Sequence, residues 1–315
     1  MLDYFCVENH TTVTTNSLTD DYLSLIDLVY HFGNKVAPRG FAITELENFT
    51  LVLTNPRDAL PRGIGRKHSN RILAAESMQW LAGVSDLLQL DWASKNGFSK
   101  FSDDGTRLYG AYGPRAHNGL KRAVRLLAKD PDSRQAVVSL WNNNEADKTK
   151  DLPCTLNWGF RIRDGKLNMS TTMRSWDAWT GLTYDLPAMT RIQSAMAWAL
   201  NVEVGSYVHN AYSFHIYESN DDAISKLVKG RDALPLIPML TDGFDETFEG
   251  TRPSDPNNAW EAMLWMADAA LKGSDGLPAG FQWFSDALKD SLRNPHFCED
   301  CRFYLPSGEL FCGAR

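Results

Sequence analysis

The chain has 315 residues, 43% of them hydrophobic, and a formal net charge of −7. That length buries one large core or two modest ones, and no apolar run approaches the roughly 18 to 20 residues needed to cross a bilayer. The acidic balance argues against a general nucleic-acid binder, whose footprint is a basic face, but local arginines can still hold a small anion.

The first residues, Met-Leu-Asp-Tyr-Phe-Cys, lack the basic start and apolar run of a signal peptide, so a cytoplasmic protein is expected. Five cysteines, an odd count in a reducing compartment, do not suggest a disulfide framework. Residues 20–32 have helical periodicity, with Thr19 as N-cap and Gly33 as stop. After Pro38-Arg39-Gly40, residues 41–53 partly alternate as a strand does. Gly63 and Gly65 sit among Arg62, Arg66, Lys67 and His68, but a GxG without the rest of its fingerprint reads as an ordinary basic loop. Residues 72–90 read as one strongly apolar helix carrying Glu76, which on such a helix is ordinarily a solvated side chain. An aromatic, turn-rich segment follows with Phe98, Phe101 and Tyr112, then a helix over 117–128 and a buried strand over 134–141.

The stretch 151–185 holds the densest chemistry. Residues 156–163 and 166–174 read as strands joined by Asp164-Gly165, a strong hairpin turn. Cys154 therefore starts one strand, and Arg174 ends its antiparallel partner beside it. A cysteine next to an arginine has a route to thiolate character, although free cysteine is also among the most buried residue types. Residues 187–200 read as an apolar helix and 207–217 as a strand, on which His215 and Tyr217 share a face. A Cys-His hydrolase accounts for the thiol and the histidine, but not for the arginines or for the acidic pair Asp177 and Asp185.

Pro153-Cys154, Arg174-Ser175-x-Asp177, Gly181 and His215-x-Tyr217 resemble the ordered motifs of thymidylate synthase. The likeness runs over about residues 38–229, with Glu76, Tyr112-Gly113 and Asp132-Ser133-Arg134 also matching. It implies an α+β fold, a large twisted mixed sheet packed with helices, and a sheet-to-sheet homodimer. By this resemblance Cys154 would add to C6 of a pyrimidine nucleoside monophosphate. Arg39, Arg174 and Ser175 would bind the 5′-phosphate, with Arg134 crossing from the other subunit. His215 and Tyr217 would hold the sugar hydroxyl, and Glu76 and Tyr112 would order water and protons around the base. Asp177, Gly181, Phe98 and Phe101 would face the reduced folate, 5,10-methylenetetrahydrofolate.

One departure is informative. Thymidylate synthases acting on uridylate have asparagine where this chain has Asp185. The amide donates to O4 and accepts from N3–H of uracil. Cytosine reverses both functions, and a carboxyl can accept from N4–H while sharing a proton with N3. The wrong base would leave buried polar groups unpaired. Aspartate here resembles the cytidylate (CMP or dCMP) hydroxymethylases, in which water completes the reaction at the one-carbon unit. The alternatives are a cytidylate or uridylate C5-methylase that releases dihydrofolate, and a non-catalytic nucleotide-binding homologue. Gln135, Thr155 and Met173 also depart from the family pattern, at a paired arginine, a histidine and a glutamine respectively.

The division expected is a catalytic domain over 1–242 and a divergent, mostly helical extension over 243–315, with helices at 258–272 and 282–292. The extension lacks the family's apolar closing tail. It carries His296, Cys298, Cys301 and Cys312, which could supply the four donors of a structural zinc site. With one CxxC and no second, buried free thiols are the alternative, and no metal is expected in the catalytic site. No nucleic acid or membrane partner is expected.

Overall fold

The computed structural model describes residues 3–60, 68–95, 97–145, 148–230 and 254–289, and two short strands near the end of the chain, β10 (Phe303–Tyr304) and β11 (Leu310–Phe311). Its frame is a mixed sheet built from β1 (Asp3–Val7), β2 (His10–Thr15), β3 (Asn34–Val36), β4 (Ile43–Leu53), β5 (Val137–Ser139), β6 (Thr155–Arg163), β7 (Lys166–Met173), β8 (Trp176–Asp177) and β9 (Glu203–Tyr217). The spatial order is β1-β2-β4-β9-β7-β6-β5, with β3 on β4 and β8 on β9. The central strand β9 runs antiparallel to β4 and parallel to β7.

Around the sheet lie α1 (Leu18–Phe32), α2 (Asn70–Ala82), α3 (Leu87–Ser94), α4 (Tyr112–Lys129), α5 (Leu182–Ala199), α6 (Asp221–Lys229), α7 (Pro256–Leu271) and α8 (Ala279–Leu288). Strand alternation puts Phe49, Trp158, Phe160, Tyr207 and Phe214 into the core. α5 is buried on nearly every side, as expected of a helix that is apolar all round. It packs on β7, β9, α2 and α7. Trp260 and Met263 of α7 join the same core.

Several expected boundaries move, each for a local reason. α1 is capped by Ser17, whose side chain accepts from the Asp20 N–H, rather than by Thr19. Thr19 instead donates to the Leu60 carbonyl at 2.6 Å and to Asp58. The single helix expected over 72–90 is two, because Gly83 ends α2 at φ +75°, a backbone setting glycine adopts without a Cβ penalty. Asp86 then caps α3 by accepting from Gln89 N–H at 2.9 Å.

α5 begins at Leu182, five residues before the expected start, so Pro187 lies inside it. Proline removes the bond that the Thr183 carbonyl would receive four residues on, and His68 Nε2 donates to that carbonyl at 3.2 Å instead. The hairpin 164–165 is as expected, with Asp164 and Gly165 at φ +52° and +71°.

The start of α4 meets the turn after α2 backbone to backbone. A Cβ on Gly113 would lie 2.3 Å from the Val84 carbonyl oxygen and 2.5 Å from that of Gln79. Gly113→Ala should therefore destabilise the fold by about 2–3 kcal/mol, which a chemical denaturation midpoint will report. An unchanged midpoint would mean that this contact yields freely.

Candidate active site

The β6–β7 hairpin brings the ends of the two strands together. The Arg174 N–H donates to the Cys154 carbonyl at 2.8 Å. The Arg174 guanidinium closes back over the same segment, with Nε donating to the Pro153 carbonyl at 3.1 Å and Nη2 to the Leu152 carbonyl at 3.0 Å. Cys154 is a free, partly buried thiol.

Beside Arg174 lies a cavity of about 410 Å³ lined by Arg39, Arg174, Ser175, Ser213, His215 and Tyr217, among others, though not by Cys154 itself. Arg39 reaches it from a tight turn in which it holds φ +53°. His215 and Tyr217 share one face of β9 as strand periodicity requires, and their rings meet edge to face at 5.2 Å. Two guanidinium groups beside hydroxyl donors have the chemistry to hold an anion, and His215 and Tyr217 offer polar atoms suited to a sugar hydroxyl. Arg134 is exposed just before β5 and lines neither this cavity nor the next.

A second cavity of about 140 Å³ is lined by Glu76, Asp185, Tyr112, Asp151, Trp80, Phe98 and Phe101, among others. Glu76 thus faces a cavity rather than solvent. Tyr112 packs on Trp80 at 4.6 Å, and its hydroxyl accepts from the N–H of Thr155, the residue after Cys154, at 3.1 Å. Asp185 stands in the first turn of α5. Gly181 admits it closely, since a Cβ there would lie 3.1 Å from Asp185 Oδ2. Asp177, on β8, accepts from the Trp179 N–H at 2.9 Å and lines neither cavity.

The electrostatics tie the two cavities together at Cys154. Burial pushes the thiol up, Arg174 and Arg39 oppose this, and Asp185 and Asp151 reinforce it. Burial raises Glu76 to about 8, with Asp185 adding to it. Burial raises Asp185 to about 7, helped by Asp177. Both carboxyls sit deep in the protein but keep some accessible surface, because that surface faces the cavity. Desolvation therefore acts on them strongly although neither is sealed off.

Glu76 and Asp185 in the fold exceed their ordinary values of 4.5 and 3.8, so the native protein binds more protons than the unfolded chain between about pH 4 and pH 8. Their contribution to stability is thus full below about pH 4 and is lost as pH rises through 7 to 8. The loss should be on the order of several kcal/mol for the two groups together. In Glu76→Gln/Asp185→Asn, denaturation across this range should show a flatter decline than wild type, and parallel curves would contradict the assignment.

Two residues escaped sequence reasoning. Trp176 is the unassigned position inside the Arg174-Ser175-x-Asp177 motif. It is fully buried and stacks on His209 at 3.6 Å with ring planes 5° apart. Among the described residues its indole N–H has no partner of ordinary hydrogen-bond geometry, yet it is close enough to draw the Asp185 carboxyl back toward the ionised form. His209, held down to about 3 by burial, is neutral, and its Nδ1 meets the Tyr207 hydroxyl at 3.0 Å. The second is Asp151, whose only sequence signal was its position three residues before Cys154. The zinc candidates His296, Cys298, Cys301 and Cys312 and the basic loop 61–67 lie outside the described residues. Among the described residues no cluster of metal-ligating side chains occurs.

A thiol, an anion site and a cavity with paired carboxyls are the parts the ordered motifs imply, and residues 21–251 match the thymidylate synthase family. The chain belongs to the thymidylate synthase family. The chain is 32% identical over 265 residues to the deoxyuridylate hydroxymethyltransferase of Bacillus phage SP01, covering 78% of this chain and 68% of that protein. It is 30% identical over 200 residues to the thymidylate synthase of Coxiella burnetii (strain RSA 493 / Nine Mile phase I), covering 58% of this chain and 74% of the relative. The family match ends before α7 and α8, which nonetheless pack against α2. No helix among the described residues is long and apolar enough to cross a membrane.

Proposed function

We propose that this protein is an enzyme that hydroxymethylates C5 of a cytidine monophosphate, CMP or dCMP, using 5,10-methylenetetrahydrofolate and water. The observation that carries the reading is Asp185, a carboxyl at the cavity that also holds Glu76 and Tyr112, near the Cys154 thiol. The mutual effects of Cys154, Arg174 and Asp185 suit a nucleotide with its phosphate at Arg39 and Arg174 and its base edge at Asp185. His215 and Tyr217 bind the sugar, and Ser175 adds a phosphate donor. Arg134 reaches the phosphate of a neighbouring copy in a homodimer, formed through the sheet face on which Thr50, Asn157, Thr172, Val208 and Asn210 are only half-buried.

For the folate, the lining is apt. Phe98, Phe101 and Trp80 offer aromatic surface to a flat heterocycle beside a buried carboxyl, and Asp177 and Gly181 stand at the Asp185 side. When bound, the folate supplies a one-carbon unit at the oxidation level of formaldehyde. Cys154 forms the bond to C6 that makes C5 nucleophilic. Asp185 places a proton at N3 and accepts from N4–H, drawing electron density from C6. The positive charge that the proton puts on the base offsets the Asp185 charge that holds the thiol up. Glu76 and Tyr112 order the protons on the opposite side of the base. A working thiol suits the reducing cytoplasm. Residues 1–242 act as the catalytic domain and 243–315 as an extension, of which α7 and α8 pack against α2.

A second reading is favoured by the phage relative, whose name specifies deoxyuridylate. With its pKa near 7, Asp185 in its neutral form offers one donor and one acceptor, as an amide does, and can pair with uracil O4 and N3–H. Incubating the enzyme with CMP, dCMP and dUMP plus methylenetetrahydrofolate and weighing the products separates the readings. A hydroxymethyl increment on a cytidylate supports the first, and the same increment on dUMP alone supports the second. A methyl increment with dihydrofolate, or no turnover that depends on Cys154, refutes hydroxymethylation.

A further inference from the structure

We infer that Asp151 is the residue that activates the water which completes the reaction, a role that rests on the hydroxymethylating reading above. Three carboxylates line the second cavity, Glu76, Asp185 and Asp151, and the function proposed above gives the first two to the base and its protons. Asp151 enters from the segment that carries the nucleophile, three residues before Cys154, and its charge is felt at that thiol.

Its geometry is fixed on one side only. The Gly110 N–H donates to Oδ2 at 2.7 Å, and a Cβ on Gly110 would lie 2.4 Å from the Asp151 backbone carbonyl oxygen and 3.1 Å from its Cγ and Oδ1, so glycine there lets the two segments meet closely. Oδ1 has no hydrogen-bond partner among the described residues, leaving one carboxylate oxygen for a ligand in the cavity. A carboxylate held by one backbone N–H, with its second oxygen unengaged, is arranged to accept a proton from a water beside it.

With the one-carbon unit on C5 as an exocyclic methylene and C6 bonded to Cys154, Asp151 takes a proton from water as the water oxygen bonds to the methylene carbon. The methylene π electrons move into the C5–C4 system. They then return to form the C5–C6 double bond, and Cys154 leaves as thiolate. Water is consumed, no oxidant or reductant is needed, and the carboxylate ends protonated. Burial raises the Asp151 carboxyl above its ordinary value and Asp103 adds to this, which strengthens it as a base, while the Gly110 N–H, Arg115 and Lys150 oppose the rise and favour the ionised form that this step needs.

The test uses Asp151→Asn and Asp151→Glu with 5-tritiated dCMP and dUMP, methylenetetrahydrofolate and 2-mercaptoethanol. Tritium release reports one-carbon attachment at C5. The ratio of hydroxymethyl to thioether product reports whether water or the added thiol captures the methylene. In Asp151→Asn, hydroxymethyl product should fall by about 10²-fold, tritium release should fall far less, and thioether should become the main product. Hydroxymethyl product that falls only in step with tritium release, without thioether, overturns the inference. Should Asp151→Asn fail to bind nucleotide by calorimetry, Asp151→Glu decides, since a wild-type product ratio there supports the role and a thioether-dominated ratio overturns it. If wild type releases no tritium from either nucleotide, the underlying reading falls. If wild type hydroxymethylates while Asp151→Asn partitions as wild type does, only the role of Asp151 falls.

Discussion

Cys154→Ser is expected to lower turnover by at least about 10⁴-fold, because loss of a nucleophile removes the covalent route and leaves only binding and orientation. The serine hydroxyl is isosteric, so the hairpin and the Arg174 contacts to Leu152 and Pro153 should persist, and the nucleotide should still bind by calorimetry. Tritium release from C5 should disappear together with product, since C6 addition precedes every later step. Residual tritium release near the wild-type rate would show that C5 is activated without Cys154, and the covalent mechanism would have to be abandoned.

Asp185→Asn is expected to move base preference rather than abolish chemistry. The Trp176 indole N–H, close to the carboxyl, favours the amide oxygen on its side and so fixes which end of the side chain donates. An amide held this way matches uracil and leaves cytosine with opposed donors. The ratio of kcat/KM for cytidylate over that for uridylate should fall by about 10³-fold. The variant should also lose the part of its pH dependence that comes from a carboxyl poised near 7. A ratio that stays at its wild-type value would remove Asp185 from base recognition.

What could be read beforehand was whatever local chemistry fixes. Asp164-Gly165 demanded a turn with positive φ at both positions, so the hairpin and the pairing of Cys154 with Arg174 followed. Strand periodicity likewise put His215 and Tyr217 on one face. Helix ends were less legible. Gly83 broke an apolar run that looked continuous, and Pro187 hid the true start of α5 because its cost is met by His68, more than a hundred residues away. The motif order identified the family and so most of the site. Trp176 and Asp151 stayed hidden because their importance lies in what they lie near, and those neighbours, Asp185, His209 and Gly110, are brought there by the fold and not by adjacency in the chain.

The guanidinium of Arg174 has one further implication. It grips the carbonyls of Leu152 and Pro153, the two residues before Cys154, while also lining the anion cavity. One side chain therefore both holds the loop before the thiol and offers its charge to the cavity. A phosphate that tugs on the guanidinium also tugs on the loop that aims the sulfur, so occupancy at one end of the ligand is felt as alignment at the other. A nucleoside without its phosphate would then find the thiol mis-aimed even at saturating concentration, and the enzyme would screen for monophosphates through rate as much as through affinity.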